Sequence, residues 1–202
     1  MHRLMLTLVI LFCCVSPGQA RPLAPLEGLE ALRKAFSGIT DFTAEITQEK
    51  RLSLMKRTMT MNGAVRFRKP DLFYLEITSP PYASRMLLRD STVEQVMGNS
   101  GDRNRIVLPP EQGLKSWFSR ISLPISSLPD GMRVQADVSG SIYTVTISPQ
   151  GKGQIKEVVV TFQEDGVVKR LVIGERNGDR AVMTFRKVRR NVGLTEKDFR
   201  LD

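Results

Sequence analysis

Carboxylates, hydroxyls, amines and phenols are the side chains with which this sequence could do chemistry once residues 1–20 are set aside. Its one histidine, His2, and its two cysteines, Cys13 and Cys14, all fall inside that stretch. A chain that begins at Arg21 has no imidazole and no thiol, which excludes histidine acid–base catalysis, Cys/His zinc sites and disulfide stapling. Glu45 and Glu49 sit at even spacing on the expected solvent face of a strand. A catalytic carboxylate more often interrupts an apolar face, because burial is what tunes its pKa. The sequence has no Gly-rich phosphate loop after a strand, no Gly-x-Ser-x-Gly elbow and no Asp-rich calcium loop. We therefore expect no enzyme, no metal and no cofactor. A secreted hydrolase using carboxylates is the third-ranked reading.

The first twenty residues read as an export signal. Arg3 gives a basic start, Leu4 to Val15 an apolar run, and Gly18 and Ala20 the small residues for cleavage after Ala20. The run is about a dozen residues, whereas a spanning helix needs about 20. Bulky Phe12 before Cys13 argues against a lipid-attachment cysteine. The expected division is a cleaved signal over 1–20 and a single domain over 21–202 of the 202 residues.

What the sequence over-supplies is charge and adaptable apolar surface. Lys and Arg number 30 against 21 Asp and Glu, and the leader removes only Arg3. The cations are dispersed, as in Arg66, Arg68 and Lys69, Arg103 and Arg105, then Arg186, Lys187, Arg189 and Arg190. Such dispersal suits solvated strand faces, and export argues against nucleic acid. The methionines beyond the leader are Met55, Met59, Met61, Met86, Met97, Met132 and Met183. Methionine fills irregular gaps and recurs on promiscuous apolar binding surfaces; ordinary core packing is the plainer explanation of Met59 and Met61.

The elements that must position these residues follow from periodicity. Ala24 to Ser37 has Leu26, Leu29, Leu32 or Arg33, and Phe36 at helical spacing, with Pro25 in the first turn and Gly38 at the end. The period then changes to two. Phe42, Ala44, Ile46 and Gln48 alternate with Thr43, Glu45, Thr47 and Glu49; Met59, Met61, Gly63, Val65 and Phe67 with Thr58, Thr60, Asn62, Ala64, Arg66 and Arg68; Phe73, Leu75 and Ile77 with Tyr74, Glu76 and Thr78. Shorter strands are expected at 85–88, 92–97 and 103–108. A helix over 110–121, with Leu114, Trp117, Phe118 and Ile121 on one stripe, interrupts the sheet. Strands resume at 133–138, 143–148, 155–162, 167–174 and 181–188, with Asp165-Gly166 and Asn177-Gly178 as hairpin turns. The expected fold is mainly β with some helix (α+β), a strongly curved antiparallel sheet or incomplete β-barrel. It has about ten or eleven strands, and two or three helices cover its concave face.

In this order the residues resemble the outer-membrane lipoprotein carrier family (LolA-like). The matching features are the early amphipathic helix, Phe42-x-Ala-x-Ile46-x-Gln48, then Gly63-x-Val65-x-Phe67-Arg68-Lys69-Pro70-Asp71-Leu72-Phe73 and Pro80. Later come Tyr143 to Pro149, Val158 to Phe162 with Glu164-Asp165-Gly166, and Met183-Thr-Phe185. The resemblance implies a periplasmic carrier, expected to be a monomer, whose helix-closed barrel takes the acyl chains of lipoproteins or lipids. It also implies an inner-membrane release complex and an outer-membrane acceptor as partners. A related glycolipid-binding or sensor module on the same fold is the second-ranked reading. The expected cavity wall is Phe42, Ile46, Met59, Met61, Val65, Phe67, Phe73, Leu75, Met86 and Leu88, under a lid bearing Leu114, Trp117, Phe118 and Ile121. The family's lid-latching arginine position holds Lys69, with Arg68 beside it expected to meet an outside acidic partner or anionic headgroup. Phe73 falls on an aromatic position tied to cargo handover. Where members show Asp-Gly and an aromatic-rich strand, this chain has Arg89-Asp90-Ser91 and Val93-Glu94-Gln95-Val96-Met97.

Overall fold

The computed structural model describes residues 20–98 and 101–201, apart from the side chains of Gln112, Trp117, Arg120 and Ile121. The expected leader, save Ala20, and the lid side chains Trp117 and Ile121 lie outside the described residues. Period-two alternation resolves into twelve strands. They are β1 (Arg21–Leu23), β2 (Asp41–Leu52), β3 (Arg57–Arg68), β4 (Leu72–Ile77), β5 (Ser84–Arg89), β6 (Thr92–Met97), β7 (Asp102–Val107), β8 (Met132–Ser139), β9 (Ile142–Pro149), β10 (Ile155–Gln163), β11 (Val168–Glu175) and β12 (Arg180–Arg190). They form one sheet in the order β1-β8-β9-β10-β11-β12-β2-β3-β4-β5-β6-β7. Two meanders, β2–β7 and β8–β12, are thus joined where β12 pairs with β2. The end strands β1 and β7 do not pair with each other, so the barrel is incomplete. A sheet this broad curls through the twist of its strands. Bulges add to the bend, one in β12 at Lys187, whose φ is 49°, and one between Thr161 and Phe162 of β10.

Twelve strands correct the expected ten or eleven. The addition, β1, is three residues with a proline in the middle and has no readable period. It exists because Arg21, Pro22 and Leu23 pair with Val138, Asp137 and Ala136.

Two α-helices lie on one face of the sheet. The first, α1 (Pro25–Ser37), has Pro25 at its start and Gly38 at its end. It packs Leu29, flanked by Leu32 and Ala35, on Val134, Ala136, Val145 and Phe162. Gly28 faces the sheet so closely that a Cβ there would lie 2.1 Å from the Cβ of Ala136. The second, α2 (Leu114–Ile121), follows a short 3-10 turn at Pro110–Gln112. The continuous 110–121 helix expected from the sequence is therefore corrected. Gly113 breaks it with extended backbone (φ −70°, ψ 156°), and a Cβ there would lie 2.5 Å from Oδ1 of Asp90.

Cross-strand register carries this inner face round the sheet: Val160 is opposite Leu171, Leu171 opposite Met183, Met183 opposite Gln48, and Gln48 opposite Met61. The other face of β4–β6 has its own core. Leu72, Tyr74, Leu87 and Val96 are buried beneath Phe199, Leu201 and Leu194 of the C-terminal segment. Arg66 Nη1 donates to the Asp198 carbonyl at 3.0 Å. The buried Asp41 carboxylate accepts the Val192 N–H at 2.7 Å and the Gly193 N–H at 3.3 Å.

Candidate functional site

The site is built from rows of directly opposed side chains. One row runs Phe42, Phe67, Phe73, Leu88 and Val93 across β2 to β6, and the next runs Ala44, Val65, Leu75, Met86 and Gln95. Ile46 is opposite Gly63, Gly63 opposite Ile77, and Met59 opposite Lys50. Antiparallel register sets directly opposed residues on the same side, and alternate residues of one strand share a side. All ten wall residues named from the sequence therefore stand on the helix-bearing face. Ile46, Met61, Val65 and Phe67 are buried, whereas Phe42, Met59, Phe73, Leu75, Met86 and Leu88 are only half-buried. The inner-face residues Leu171, Ile173, Ala181, Met183 and Phe185 of β11 and β12 are half-buried as well.

An aromatic stack connects this wall to α2. The rings of Phe42 and Phe67 are 5.3 Å apart, and those of Phe67 and Phe118 are 5.1 Å apart. Phe118 is buried and Leu114 is half-buried. Lys69 sits beside the stack, its Nζ 5.8 Å from the centre of the Phe118 ring. It donates to the carbonyls of Phe36 at 2.6 Å and Ser37 at 3.3 Å, the last turn of α1. A cation there complements the negative end of the helix dipole. Burial lowers the Lys69 pKa from the ordinary lysine value. A cleft of about 150 Å³ between the helices is lined by Arg33, Phe36, Ser37, Lys69, Phe118 and Ser122.

The ends of α2 are held by residues that carry no motif. Asp90, at φ 52°, accepts the Lys115 N–H on Oδ1 at 3.0 Å, and its carbonyl accepts the Leu114 N–H at 3.2 Å. Lys115 also pairs with Asp71 at 3.2 Å. Past the other end, Glu30 Oε2 accepts the Ile125 N–H at 3.3 Å while its carboxylate takes both Nε and Nη2 of Arg33, at 2.8 and 2.6 Å. That Arg33 fork holds the Glu30 pKa down at about 2. Asp90 lies in the segment where the sequence departs from the family pattern, which was the available signal; the Glu30 link had none.

Arg68 finds an acidic partner within the chain itself. It pairs with Glu196 of the chain's own C-terminal segment, whose other oxygen takes Arg89 at 2.9 Å, and its guanidinium lies 5.9 Å from the Phe199 ring centre. The reason is alternation: Arg68 emerges on the outer face, where that segment lies. Glu45 is exposed on the outer face and pairs with Lys187 at 2.7 Å. Among the described residues, no cluster of three or more His, Cys, Asp or Glu side chains could hold a metal ion. No described helix is long and apolar enough to cross a membrane.

Fold and inner face together define an incomplete antiparallel barrel with an apolar wall beneath two helices. The chain belongs to the outer membrane lipoprotein carrier family, LolA, whose profile matches residues 37–202. No curated protein sequence matches it. The fold is shared with a DUF1329 family protein from Desulfovibrio piger, at 12% identity over 89% of this chain and 98% of that one, with a TM-score of 0.50. It is shared equally with an uncharacterized conserved protein from Thermus thermophilus, at 14% identity over 86% and 90%, TM-score 0.50. A LolA superfamily protein from Nitrosomonas europaea aligns at 9% identity over 88% and 98%, TM-score 0.45.

Proposed function

We propose that this chain is a periplasmic carrier that takes lipoprotein acyl chains against its inner face, beneath α2, and passes them toward the outer membrane. A release complex at the inner membrane would load it and an outer-membrane acceptor would unload it. The carrying observation is the half-buried state of apolar side chains that point inward, Phe73, Leu75, Met86 and Leu88 on one side and Leu171, Ile173 and Met183 on the other. In an ordinary helix-on-sheet core such residues are covered fully. Here the helices leave them accessible from within, as a wall awaiting an apolar ligand would be. Family membership supplies the class of ligand.

Magnitudes favour a lid. At about 0.8 kcal/mol per methylene, a sixteen-carbon chain represents roughly 12 kcal/mol of burial. Three such chains would exceed the practical ceiling of about 18–21 kcal/mol for noncovalent binding. A carrier must release its cargo, so part of that energy has to be offset within the protein. Displacing α2 breaks the Phe118–Phe67 stack and the Asp90 contacts, which lowers the net affinity toward a transferable range.

Phe73→Glu tests the reading. At a hydrated mouth or wall the carboxylate is tolerated, and the variant folds while failing to take lipoprotein from inner-membrane vesicles. Native mass spectrometry of protein purified without detergent should show diacyl or triacyl adducts on the wild type and fewer on the variant. A wild type that never carries lipid and never releases lipoproteins from vesicles would overturn the carrier reading.

A further inference from the structure

At the end of the barrel opposite Lys69, β2 and β3 run on past β4, because Gly63 is the first residue of β3 paired to it. Their connecting turn, Ser53-Leu54-Met55-Lys56, is closed by the Lys56 N–H to the Ser53 carbonyl at 3.2 Å, with Lys56 at φ 48°. The two central residues of this turn are apolar and stand in solvent: Leu54 is 92% exposed and Met55 71%. Single exposed apolar side chains are ordinary, but two at the apex of a projecting hairpin contribute nothing to the core.

The residues around the apex are cationic on both faces of the hairpin. Arg51 is directly opposite Arg180 on the outer side, a like-charge pair that opposes folding. Lys50 and Arg57 flank the inner side, and Lys56 is in the turn itself. None of these five cations is ion-paired among the described residues, so their charge is not neutralised by a neighbouring carboxylate. The nearby Asp179 accepts the Ser53 N–H at 2.7 Å, which ties the tip to the β11–β12 turn and stiffens it.

We propose that the Leu54–Met55 tip is a membrane-docking element that inserts into an anionic phospholipid surface. The apolar pair would enter the headgroup–acyl boundary while Lys50, Arg51, Lys56, Arg57 and Arg180 engage the lipid phosphates around it. Two short apolar side chains alone hold a surface weakly and reversibly; an apolar anchor combined with a basic collar gives firmer attachment that falls with salt. The inner-face Met59 and Met61 lie on β3 just behind the tip, so docking brings this end of the wall to the bilayer. The inference stands on exposure and charge, independently of the carrier reading.

The test is co-flotation of purified protein with vesicles of phosphatidylglycerol and phosphatidylcholine, against vesicles of phosphatidylcholine alone. The wild type should float with the anionic vesicles only. Leu54→Ser with Met55→Ser should weaken binding by about tenfold or more with an unchanged melting temperature. Arg51→Gln with Lys56→Gln should weaken it by about fivefold per charge and flatten the salt dependence. Beyond the leader the chain has no cysteine, so Leu54→Cys carries a unique environment-sensitive fluorophore, and its emission should shift to the blue on anionic vesicles. Absence of wild-type flotation, or flotation indifferent to the serine changes, overturns the proposal. So does a lipid-independent change of oligomeric state in the tip variants, which would make the tip a protein contact.

Discussion

Lys69 illustrates how one side chain can serve two helices. Its ammonium caps the last carbonyls of α1 and stands over the Phe118 ring of α2, so this one side chain bridges the α1–α2 gap. Replacing it by methionine keeps the stem and removes the charge. Hydrogen bonds from a charged donor are worth about 1.5–3 kcal/mol, so Lys69→Met should lose about that much in urea unfolding. Lys69→Arg should recover most of it, because the guanidinium fork can reach two adjacent carbonyls. Equal loss in both variants would show that lysine's shape, not its charge, matters. Glu30 is the second residue with an acid–base consequence. Its folded-state pKa, about 2, lies below the ordinary carboxylate value of 4.5, chiefly through Arg33. A depressed carboxylate contributes stability that is fully present above its unfolded pKa and is lost as pH falls toward the folded one. Glu196, lowered by Arg89 and Arg68, acts in the same direction. Melting temperature should therefore decline as pH drops from 4.5 toward 2, and Glu30→Gln should remove part of that decline.

At the scale of elements, α1 approaches the sheet through a glycine. Gly28→Ala would gain about 1 kcal/mol of helix propensity. The new methyl would stand 2.1 Å from the Ala136 Cβ, which has no rotamer to yield, and overpacking of this kind costs about 1–3 kcal/mol or more. The clash exceeds the propensity gain, so the variant should melt lower than the wild type; a higher melting temperature would mean that α1 can ride up freely. This contact also marks the limit of what the sequence discloses. Apolar alternation made β2, β3 and β4 readable and set their inner rows, because burial on one side leaves its period in the chain. The helix at Leu114–Ile121 was readable as a stripe, yet its start was not, since the break at Gly113 depends on Asp90 arriving from a distant turn. Neither β1 nor the Glu30–Ile125 link has a local signal; each exists only through a partner far away in the chain. The direction of Arg68 was legible from alternation, but its partner Glu196 lies 128 residues on.

As a whole molecule, a broad sheet of this kind has two faces to protect, and the chain treats them differently. The inner face receives helices that leave part of it accessible, whereas the outer face of β4–β6 is sealed by the C-terminal segment. Leu72, Tyr74, Leu87 and Val96 are buried there with Phe199 and Leu201, and Arg66, Arg68 and Arg89 tie the cover down by hydrogen bonds and ion pairs. The sealed patch is a candidate for pure stability, and the open one for ligand. Removing residues 193–202 separates the two. Burial of large apolar side chains is worth about 1.5–3 kcal/mol each, so loss of Phe199, Leu201 and Leu194 should lower stability by several kcal/mol and leave a sticky outer surface. Phe199→Ala alone should cost about 3–5 kcal/mol, at the scale of a deleted core aromatic. Both changes should raise the binding of a hydrophobic dye. Because the damage lies on the far side of the sheet from the inner wall, lipid adducts in native mass spectrometry should persist in whatever fraction of Phe199→Ala remains folded. If adducts vanish while the fold survives, the C-terminal segment and not the helix-bearing face holds the acyl chain, and the division of labour between the two faces would have to be reversed.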